Sequence, residues 1–197
     1  MKRKSIWLAA VLAAFVFVLC PDVNAQNFAV GSTLENFKLM DTNGAEKSLN
    51  DLKGKNGSIL VFVSVQCPVV KGYNERISKL AADYSGKGIN VIGINSNSTE
   101  TMENVKAHAA ENYKFPVLID KGNVIADKLG AIATPEVFYF NEKNVLVYYG
   151  AIDNDRSGEN VTSNYLNDAI TSNLGGKAVA KTNAKAFGCT IKRVAKN

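Results

Sequence analysis

Two nearly continuous apolar runs dominate the pattern of hydrophobic and polar positions along the chain. Residues 58–65 (SILVFVSV) and residues 89–94 (INVIGI) are rich in β-branched and aromatic side chains. Strands that are apolar on both faces are typical of the buried centre of a sheet with helices on either side. The pattern therefore predicts two central strands in this part of the chain.

Helical spacing of apolar positions alternates with these strands. Pro68 suits the first turn of a helix, and apolar residues then recur at helical spacing until glycine interrupts the pattern at Gly88. Ser98 and Thr99 are N-cap candidates for the helix that follows the second strand. Further helices are predicted over residues 101–112, 123–129 and 163–174.

Two hairpins complete the pattern. Residues 37–40 and 45–49 flank an Asn-Gly turn, and residues 137–140 and 145–149 flank a short polar loop. Strands that alternate with helices predict a parallel core, to which the second hairpin adds antiparallel strands. The predicted fold class is α/β: a mixed central sheet flanked by helices, with an N-terminal β-hairpin.

The N-terminus has the layout of a secretory signal peptide. Residues 2–4 (KRK) precede an apolar run over residues 6–19, and residues 23–25 (VNA) offer small residues to a signal peptidase. The run is shorter than the roughly 20 residues of a membrane-spanning helix. A retained anchor and a lipid on Cys20 are therefore the weaker alternatives. We predict cleavage after Ala25, a periplasmic or secreted protein, and no stable membrane association after cleavage.

Charge and length describe the remaining chain. Removal of residues 1–25 takes away three basic residues and one acidic residue, so the formal charge falls from +5 to +3. A small surplus spread along the chain is not the clustered basic face of a nucleic-acid-binding protein. The length suits one domain. We predict a domain over residues 26–174 and a flexible C-terminal tail over residues 175–197 that carries Cys189.

The cysteines and the histidine exclude some site classes. The predicted mature chain keeps Cys67 and Cys189 in a compartment that permits disulfides. Its one histidine, His108, lies on a predicted helix rich in Glu and Lys and is expected to be exposed. Two cysteines and one histidine do not complete a zinc site without carboxylates. We therefore predict neither a metal nor a cofactor.

Cys67 lies where a predicted central strand gives way to a helix that has Pro68 in its first turn. The free N–H groups and the positive end of the helix dipole at such a position favour a thiolate over a thiol. Sites of this kind lower a cysteine pKa from about 8.5 to roughly 3.5–7.5. We predict that Cys67 is the nucleophile. The alternative is a small buried residue without chemistry.

The Thr134-Pro135 pair opens a predicted hairpin strand, a position that tolerates proline. Most X-Pro bonds in folded proteins are trans. Because the chain also has Cys67 at a junction between a strand and a helix, however, we interpret the Thr134–Pro135 bond as a cis peptide that lies beside the thiol.

These motifs together resemble the thioredoxin superfamily, and within it the redoxin branch that includes peroxiredoxins and the alkyl hydroperoxide reductase/thiol-specific antioxidant family. The chain is similar to a peroxiredoxin-like group with a Cys-Pro-Val-Val motif, which residues 67–70 carry here. Thr134-Pro135-Glu136 and residues 187–192 (FGCTIK) also look like that group. The resemblance covers roughly residues 28–193 and implies a thioredoxin-like fold and thiol-dependent redox chemistry.

The chain departs from the better-known branches at several positions. Val70 stands where thioredoxin has its second cysteine, so a resolving thiol must come from elsewhere. Ser64 matches the Thr or Ser that peroxiredoxins place three residues before their reactive cysteine, which implies an assisting role. Peroxiredoxins bind peroxide with an arginine on the sheet, whereas no arginine lies on a predicted strand here. Arg76 is expected to be a surface residue.

Three roles are open for Cys189. It is a resolving cysteine that swings onto Cys67 and attacks a mixed disulfide or a sulfenic acid there, half of a permanent structural disulfide, or an unpaired thiol. The chain-entropy model assigns a disulfide that closes so long a loop roughly 4–5 kcal/mol of stabilisation.

The preferred hypothesis is an exported thiol–disulfide oxidoreductase that acts on protein or small-molecule thiols and disulfides. Cys67 attacks a substrate disulfide, while Pro68, Thr134 and Pro135 border the bound substrate. The alternatives are a thiol peroxidase, in which Ser64 assists and peroxide is the substrate, and a redox-silent binding module. The electron donor is unknown, and no nucleic-acid partner is expected.

Overall fold

The structure is a computed structural model that describes residues 28–195. The predicted signal peptide and its cleavage site after Ala25 lie outside the described residues. Within the described residues, no helix is both long enough and apolar enough to cross a membrane.

Helices and strands alternate along the chain, in the order that the apolar pattern predicts. Their bounds are β1 Lys38–Asp41, β2 Glu46–Ser48, α1 Leu49–Leu52, β3 Gly57–Val63, α2 Pro68–Ser85, β4 Ile89–Asn95, α3 Met102–Asn112, β5 Val117–Ile119, α4 Val124–Leu129, β6 Ala133–Thr134, β7 Glu136–Asn141, β8 Leu146–Gly150, α5 Tyr165–Leu174, β9 Asn183–Ala184 and β10 Cys189–Thr190.

The main sheet has eight strands in the order β2-β1-β5-β4-β3-β7-β8-β9. The centre is parallel, because β4 pairs in parallel with both β3 and β5. Strand β7 runs antiparallel to β3 and forms a hairpin with β8. The α/β class, the mixed sheet and the N-terminal hairpin are therefore confirmed.

Strand β3 separates two apolar cores because its side chains alternate between the faces of the sheet. Ile59, Val61 and Val63 face a core that also includes residues of α2, α3 and α5. Leu60 and Phe62 face a second core that includes residues of α4 and of the segment before β1. All seven residues of β3 are buried, as expected for a central strand covered on both sides.

The N-terminal cap of α3 differs from the prediction. The cap is Thr101, whose hydroxyl accepts a hydrogen bond from the backbone N–H of Asn104 at 3.3 Å. Ser98, one of the two predicted caps, instead donates its backbone N–H to the carbonyl of Lys192 at 2.8 Å. The loop before α3 thus contacts the C-terminal residues, and the helix starts after it, at Met102.

The described part of the predicted C-terminal tail is paired with the rest of the domain. Strand β9 extends the sheet in parallel with β8, and β10 pairs antiparallel with β6. Ile191 is buried in the second core. This differs from the expected flexible tail, because backbone hydrogen bonds to β8 and β6 hold these residues although they have no apolar periodicity.

Candidate functional site

Cys67 is the N-cap residue of α2, and Pro68 occupies the first turn of that helix. The Cys67 residue is 1% exposed and contributes to the core on the α2 side of the sheet, whereas Pro68 is exposed. The backbone N–H of Cys67 donates to the carbonyl of Ser64 at 3.4 Å, and its carbonyl accepts from the N–H of Lys71 at 3.1 Å. The end of β3 and the start of α2 thus fix the position of the sulfur.

The Thr134–Pro135 peptide bond is cis, as predicted. Thr134 is the last residue of β6, and both residues are buried. The Sγ of Cys67 lies 3.1 Å from the carbonyl oxygen of Thr134, to which the neutral thiol donates a hydrogen bond. The predicted proximity of this loop to the thiol is therefore confirmed.

Cys189 lies beside Cys67 without any movement of the C-terminal residues. Strand β10 pairs with β6 so that Cys189 is opposite Thr134. Both cysteines are free thiols, and the Cys189 thiol is within hydrogen-bonding reach of the Cys67 sulfur. The side chain of Cys189 is half-buried. The structure thus brings together the two thiols that the sequence singled out.

The environment of Cys67 favours its thiolate. Burial raises the pKa of the Cys67 thiol, but hydrogen bonds donated to the sulfur act in the opposite direction and prevail, so the pKa is lowered from its ordinary value. The donors are the thiol and backbone N–H of Cys189, the backbone N–H of Val70 and the hydroxyl of Thr134. The Val70 N–H belongs to the first turn of α2, where backbone donors have no partner within the helix.

The environment of Cys189 favours its neutral thiol. Burial raises the pKa of Cys189, and the hydrogen bond and negative charge of Cys67 raise it further. The backbone N–H of Val69 and the positive charge of Arg156 act in the opposite direction and do not reverse this shift. When the pair shares one proton, that proton therefore lies on Cys189 and the negative charge lies on Cys67.

Comparison with known proteins identifies the family. The model of the AhpC/TSA family matches residues 30–149. The chain belongs to the AhpC/TSA family. This match confirms the resemblance to the redoxin branch that the motifs indicate.

Individual proteins are similar to this chain in sequence or in fold. The thiol-disulfide oxidoreductase ResA of Halalkalibacterium halodurans is 29% identical over 155 residues, which cover 74% of this chain and 86% of that protein. A hypothetical protein from Sinorhizobium meliloti 1021 superposes with a TM-score of 0.78 at 35% identity, over 85% of this chain and 96% of the other. A thioredoxin-like protein from Aeropyrum pernix, at 20% identity and a TM-score of 0.51 over 58% of this chain and 80% of that chain, shows the same fold.

The hydroxyl of Ser64 does not bind Cys67, as an assisting role of the peroxiredoxin kind would require. It donates to the carboxylate of Glu100, and the hydrogen bonds to the Cys67 sulfur include none from Ser64. The Ser64 carbonyl, by contrast, accepts the backbone N–H of Cys67. Ser64 therefore lies in the loop that shapes the site, with its side chain directed to Glu100.

Glu100 organises the loop before α2, although it is not among the site residues predicted from the sequence. Besides Ser64, its carboxylate accepts the backbone N–H of Val65 at 3.1 Å, the backbone N–H of Gln66 at 3.0 Å and the side-chain amide of Asn95 at 2.6 Å. No sequence pattern marks Glu100, because it lies in a polar loop far along the chain from the residues that it binds.

Arg76 is held by its neighbours and is not the free surface residue that we expected. Its guanidinium lies 3.4 Å from the centre of the Tyr73 ring and donates to Asp153 at 2.7 Å and to the carbonyl of Asp155 at 2.8 Å. The Tyr73 hydroxyl donates to the same Asp153 carboxylate at 2.7 Å. This cluster fixes the loop that carries Arg156, whose positive charge acts on Cys189.

No group of three or more His, Cys, Asp or Glu side chains in residues 28–195 is arranged to hold a metal ion.

His108 is half-buried, which differs from the expected exposure, and one of its ring nitrogens lies 3.1 Å from the amide nitrogen of Asn74. Burial lowers the pKa of His108 below its ordinary value. The ring is thus part of the packing between α2 and α3.

Proposed function

We propose that this AhpC/TSA protein is an exported thiol–disulfide oxidoreductase that uses Cys67 as a nucleophilic thiolate and Cys189 as its partner thiol. The observation that carries the proposal is the contact between two free thiols with opposite preferences, one for the thiolate and one for the neutral form. The thiolate is the reactive form in disulfide exchange. The similarity to the Halalkalibacterium protein, which is named a thiol-disulfide oxidoreductase, supports the same reaction class.

The reaction is a two-electron exchange between the protein and a disulfide. One protein sulfur attacks the disulfide of the substrate, forms a mixed disulfide and expels the first substrate thiolate. The second protein sulfur then attacks the mixed disulfide, which forms the Cys67–Cys189 bond and releases the second thiolate. The substrate disulfide is reduced to two thiols, and the protein pair is oxidised. Pro68, Thr134 and Pro135 border the site where the substrate binds.

The first test compares turnover of the wild-type protein with Cys67→Ser and Cys189→Ser. Reduction of a small aromatic disulfide, with a dithiol as the electron donor, gives a direct colorimetric rate. Cys67→Ser should lose the catalysed turnover and keep at most the slow exchange of a single thiol, because no stabilised thiolate remains and the Cys67–Cys189 disulfide cannot form. Full activity of Cys67→Ser, in a variant that melts like the wild type, would contradict the proposal.

The second test measures the reduction potential of the pair. Peptide mapping across thiol buffers gives the oxidised fraction of Cys67 and Cys189 at each redox poise. A midpoint between roughly −120 and −270 mV marks an exchangeable pair, whereas a midpoint below about −300 mV marks a structural disulfide. We expect a midpoint in the first range, since the reduced Cys67 is stabilised as a thiolate.

The site favours this function over the two alternatives. The hydroxyl of Ser64 is engaged by Glu100 and so does not serve a peroxide at Cys67. A redox-silent module predicts that Cys67 is alkylated no faster than glutathione at neutral pH in denaturant-free buffer. The donors around the sulfur lower the pKa of Cys67 and support the opposite result, in which Cys67 is alkylated faster than glutathione at neutral pH.

A further inference from the structure

Residues 184–191, called the strap here, cover the redox centre and are anchored at both ends. At one end, the backbone N–H of Ala151 donates to the carbonyl of Ala184 at 3.1 Å. At the other end, the N–H of Ile191 donates to the carbonyl of Ile132 at 3.0 Å, and Ile191 itself is buried. The ring of Phe187 packs against Tyr73, with 6.5 Å between the ring centres.

The strap occupies the free edge of the loop beside Cys67. Cys189 and Thr190 pair with Thr134 and Ala133, the residues just before the cis peptide. The approach is so close at Gly188 that a Cβ there would lie 2.0 Å from the carbonyl oxygen of Thr134. An extended polypeptide therefore cannot pair with this edge while the strap is in place.

The two sulfurs differ in their accessibility. Cys67 is 1% exposed, whereas Cys189 is half-buried and lies between the exposed residues Gly188 and Thr190. A thiolate that attacks a disulfide must approach one of the two sulfurs along the line of the S–S bond. Cys189 is therefore the more exposed of the two residues and the one that a molecule from solution approaches first.

We propose that Cys189 is the point of exchange with the substrate and that Cys67 acts only on the sulfur of Cys189, the substrate being a low-molecular-weight thiol or its disulfide. The proposal rests on the proposed function and reverses the order of events expected from the sequence, in which Cys67 carried the mixed disulfide and Cys189 resolved it. A small thiol suits the site because it needs no backbone pairing with the edge that the strap occupies.

The electrons balance in each step. A thiolate RS⁻ attacks the Sγ of Cys189 in the oxidised protein, an RS–Cys189 bond forms, and the Cys67–Cys189 bond breaks with its electron pair leaving on Cys67. A second RS⁻ attacks the sulfur of the bound R group, RSSR forms, and Cys189 leaves and takes a proton from water. Two thiols are thus oxidised to one disulfide, and the protein pair is reduced. In the reverse direction Cys67 attacks RS–Cys189 and expels RS⁻.

The hydrogen bonds at the two sulfurs agree with this direction of attack. A thiol with a lower pKa is the better leaving group in disulfide exchange. Attack on Cys189 expels Cys67, whose thiolate receives hydrogen bonds from Val70 and Thr134. Attack on Cys67 would instead expel Cys189, whose pKa is raised.

The test uses the full chain with Cys20→Ser as the background, so that each of two further variants keeps a single cysteine, and glutathione disulfide at pH 7 is the probe. Mass spectrometry follows the rate at which each variant gains one glutathione. Cys67→Ser, which keeps Cys189, should react at least tenfold faster than Cys189→Ser, which keeps Cys67. Acidity alone predicts the opposite order, because Cys67 is the more acidic thiol. An equal or faster reaction of Cys189→Ser would overturn the proposal.

A substitution in the strap supplies a second measurement. Gly188→Ala, made in the Cys189→Ser background, places a methyl group against the Thr134 carbonyl and should increase the reaction rate of Cys67 severalfold, because the strap is displaced. The matched control is Gly86→Ala at the end of α2, where an added Cβ has no neighbour within 4 Å. No increase with Gly188→Ala would contradict the role of the strap.

These outcomes are separable from a failure of the proposed function. If the wild-type protein forms no Cys67–Cys189 disulfide, or if Cys67→Ser turns over at the wild-type rate, the proposed function is wrong. If the disulfide forms and turns over but glutathione enters at Cys67, only the assignment of Cys189 as the exchange point is wrong.

Discussion

At the scale of single residues, the hydroxyl of Thr134 is the side-chain group of the loop before Pro135 that affects the Cys67 thiolate. It donates a long hydrogen bond of 3.4 Å to the carbonyl oxygen of Cys189, and as a potential donor to the Cys67 sulfur it lowers the pKa of that thiol. A thiolate is the stronger acceptor of the two, since hydrogen bonds to ionised groups are roughly twice as strong as neutral ones. We therefore expect the hydroxyl to donate its hydrogen bond to the sulfur, in preference to the carbonyl, when Cys67 is ionised.

Thr134→Val should raise the pKa of Cys67 towards its ordinary value, because the substitution keeps the shape of the side chain but removes the donor. The measurement is the pH dependence of alkylation by iodoacetamide, with peptide mapping to follow Cys67 and Cys189 separately. Thr190→Val is the matched control, since the exposed hydroxyl of Thr190 is not among the donors to either sulfur. An unchanged profile in Thr134→Val would show that the Cys189 thiol and the backbone donors hold the thiolate without the Thr134 hydroxyl.

Glu136 is a buried carboxyl directly after Pro135. Burial raises the pKa of Glu136, while hydrogen bonds from the backbone N–H groups of Ile132 and Ala133 and the charge of Arg193 act in the opposite direction without reversing the shift. The folded protein therefore binds a proton here more tightly than the unfolded chain does. This contribution to stability is present below the ordinary pKa of 4.5 and is lost as the pH rises through the raised value.

Glu136→Gln should stabilise the protein at pH 7 and change little at pH 4. The amide oxygen still accepts the two backbone N–H groups, whereas the ionised form that burial disfavours is gone. Thermal unfolding of both proteins from pH 4 to pH 7 gives the difference in Tm, and each kcal/mol corresponds to about 2–4 °C for a domain of this size. A difference in Tm that does not grow with pH would contradict the buried-carboxylate interpretation.

At the scale of elements, the loop between β3 and α2 depends on a single carboxylate. One oxygen of Glu100 accepts from the Ser64 hydroxyl and the Gln66 N–H, and the other accepts from the Val65 N–H and the Asn95 amide. Every carboxylate oxygen thus has two donors. The loop holds the end of β3 against the start of α2, where Cys67 lies.

Glu100→Gln should lower the free energy of unfolding by roughly 2–4 kcal/mol. Whichever way the new amide turns, its NH2 group faces two donors, and each buried donor left without an acceptor costs about 1–3 kcal/mol. Urea unfolding of the reduced protein measures the change. Glu103→Gln, at an exposed position in the first turn of α3, is the control and should stay within about 0.5 kcal/mol of the wild type. Equal effects of the two substitutions would rule out the special role of Glu100.

The elements differ in how far their sequences predict them. Strands β3 and β4 and helix α2 are confirmed because their signals are local: continuous apolar runs, a proline at the helix start and helical periodicity. Strands β9 and β10 have no such signal, since two-residue strands form only through pairing with β8 and β6. The same holds for Glu100, whose role depends on packing against a distant loop. Cys67 and Cys189 were predicted as a pair only because few thiols remain.

At the scale of the whole molecule, the Cys67–Cys189 pair links folding to redox state. Both ends of the strap are already bound to the sheet in the reduced protein. Oxidation therefore adds little new order to the folded state and acts mainly by restricting the unfolded chain, which the chain-entropy model values at about 4–5 kcal/mol for so long a loop. By thermodynamic linkage, the free energy by which the disulfide stabilises the fold equals the free energy by which folding stabilises the disulfide.

The oxidised protein should accordingly melt at a higher temperature than the reduced protein, and the difference in Tm should narrow as the pH rises towards 9. The direction of this change follows from Cys67, whose pKa is lowered in the folded state. Its contribution to the stability of the reduced protein therefore grows as the pH rises towards the ordinary value of 9.0 and is lost as the pH falls. In the oxidised protein neither cysteine has a thiol to titrate, so its stability lacks this dependence on pH. Calorimetry with and without reductant measures both curves, and Cys189→Ser should show no dependence on reductant. A gap that widens with pH would mean that the thiolate of Cys67 is not stabilised by the fold, and the disulfide would then act as a structural link rather than as an exchangeable pair.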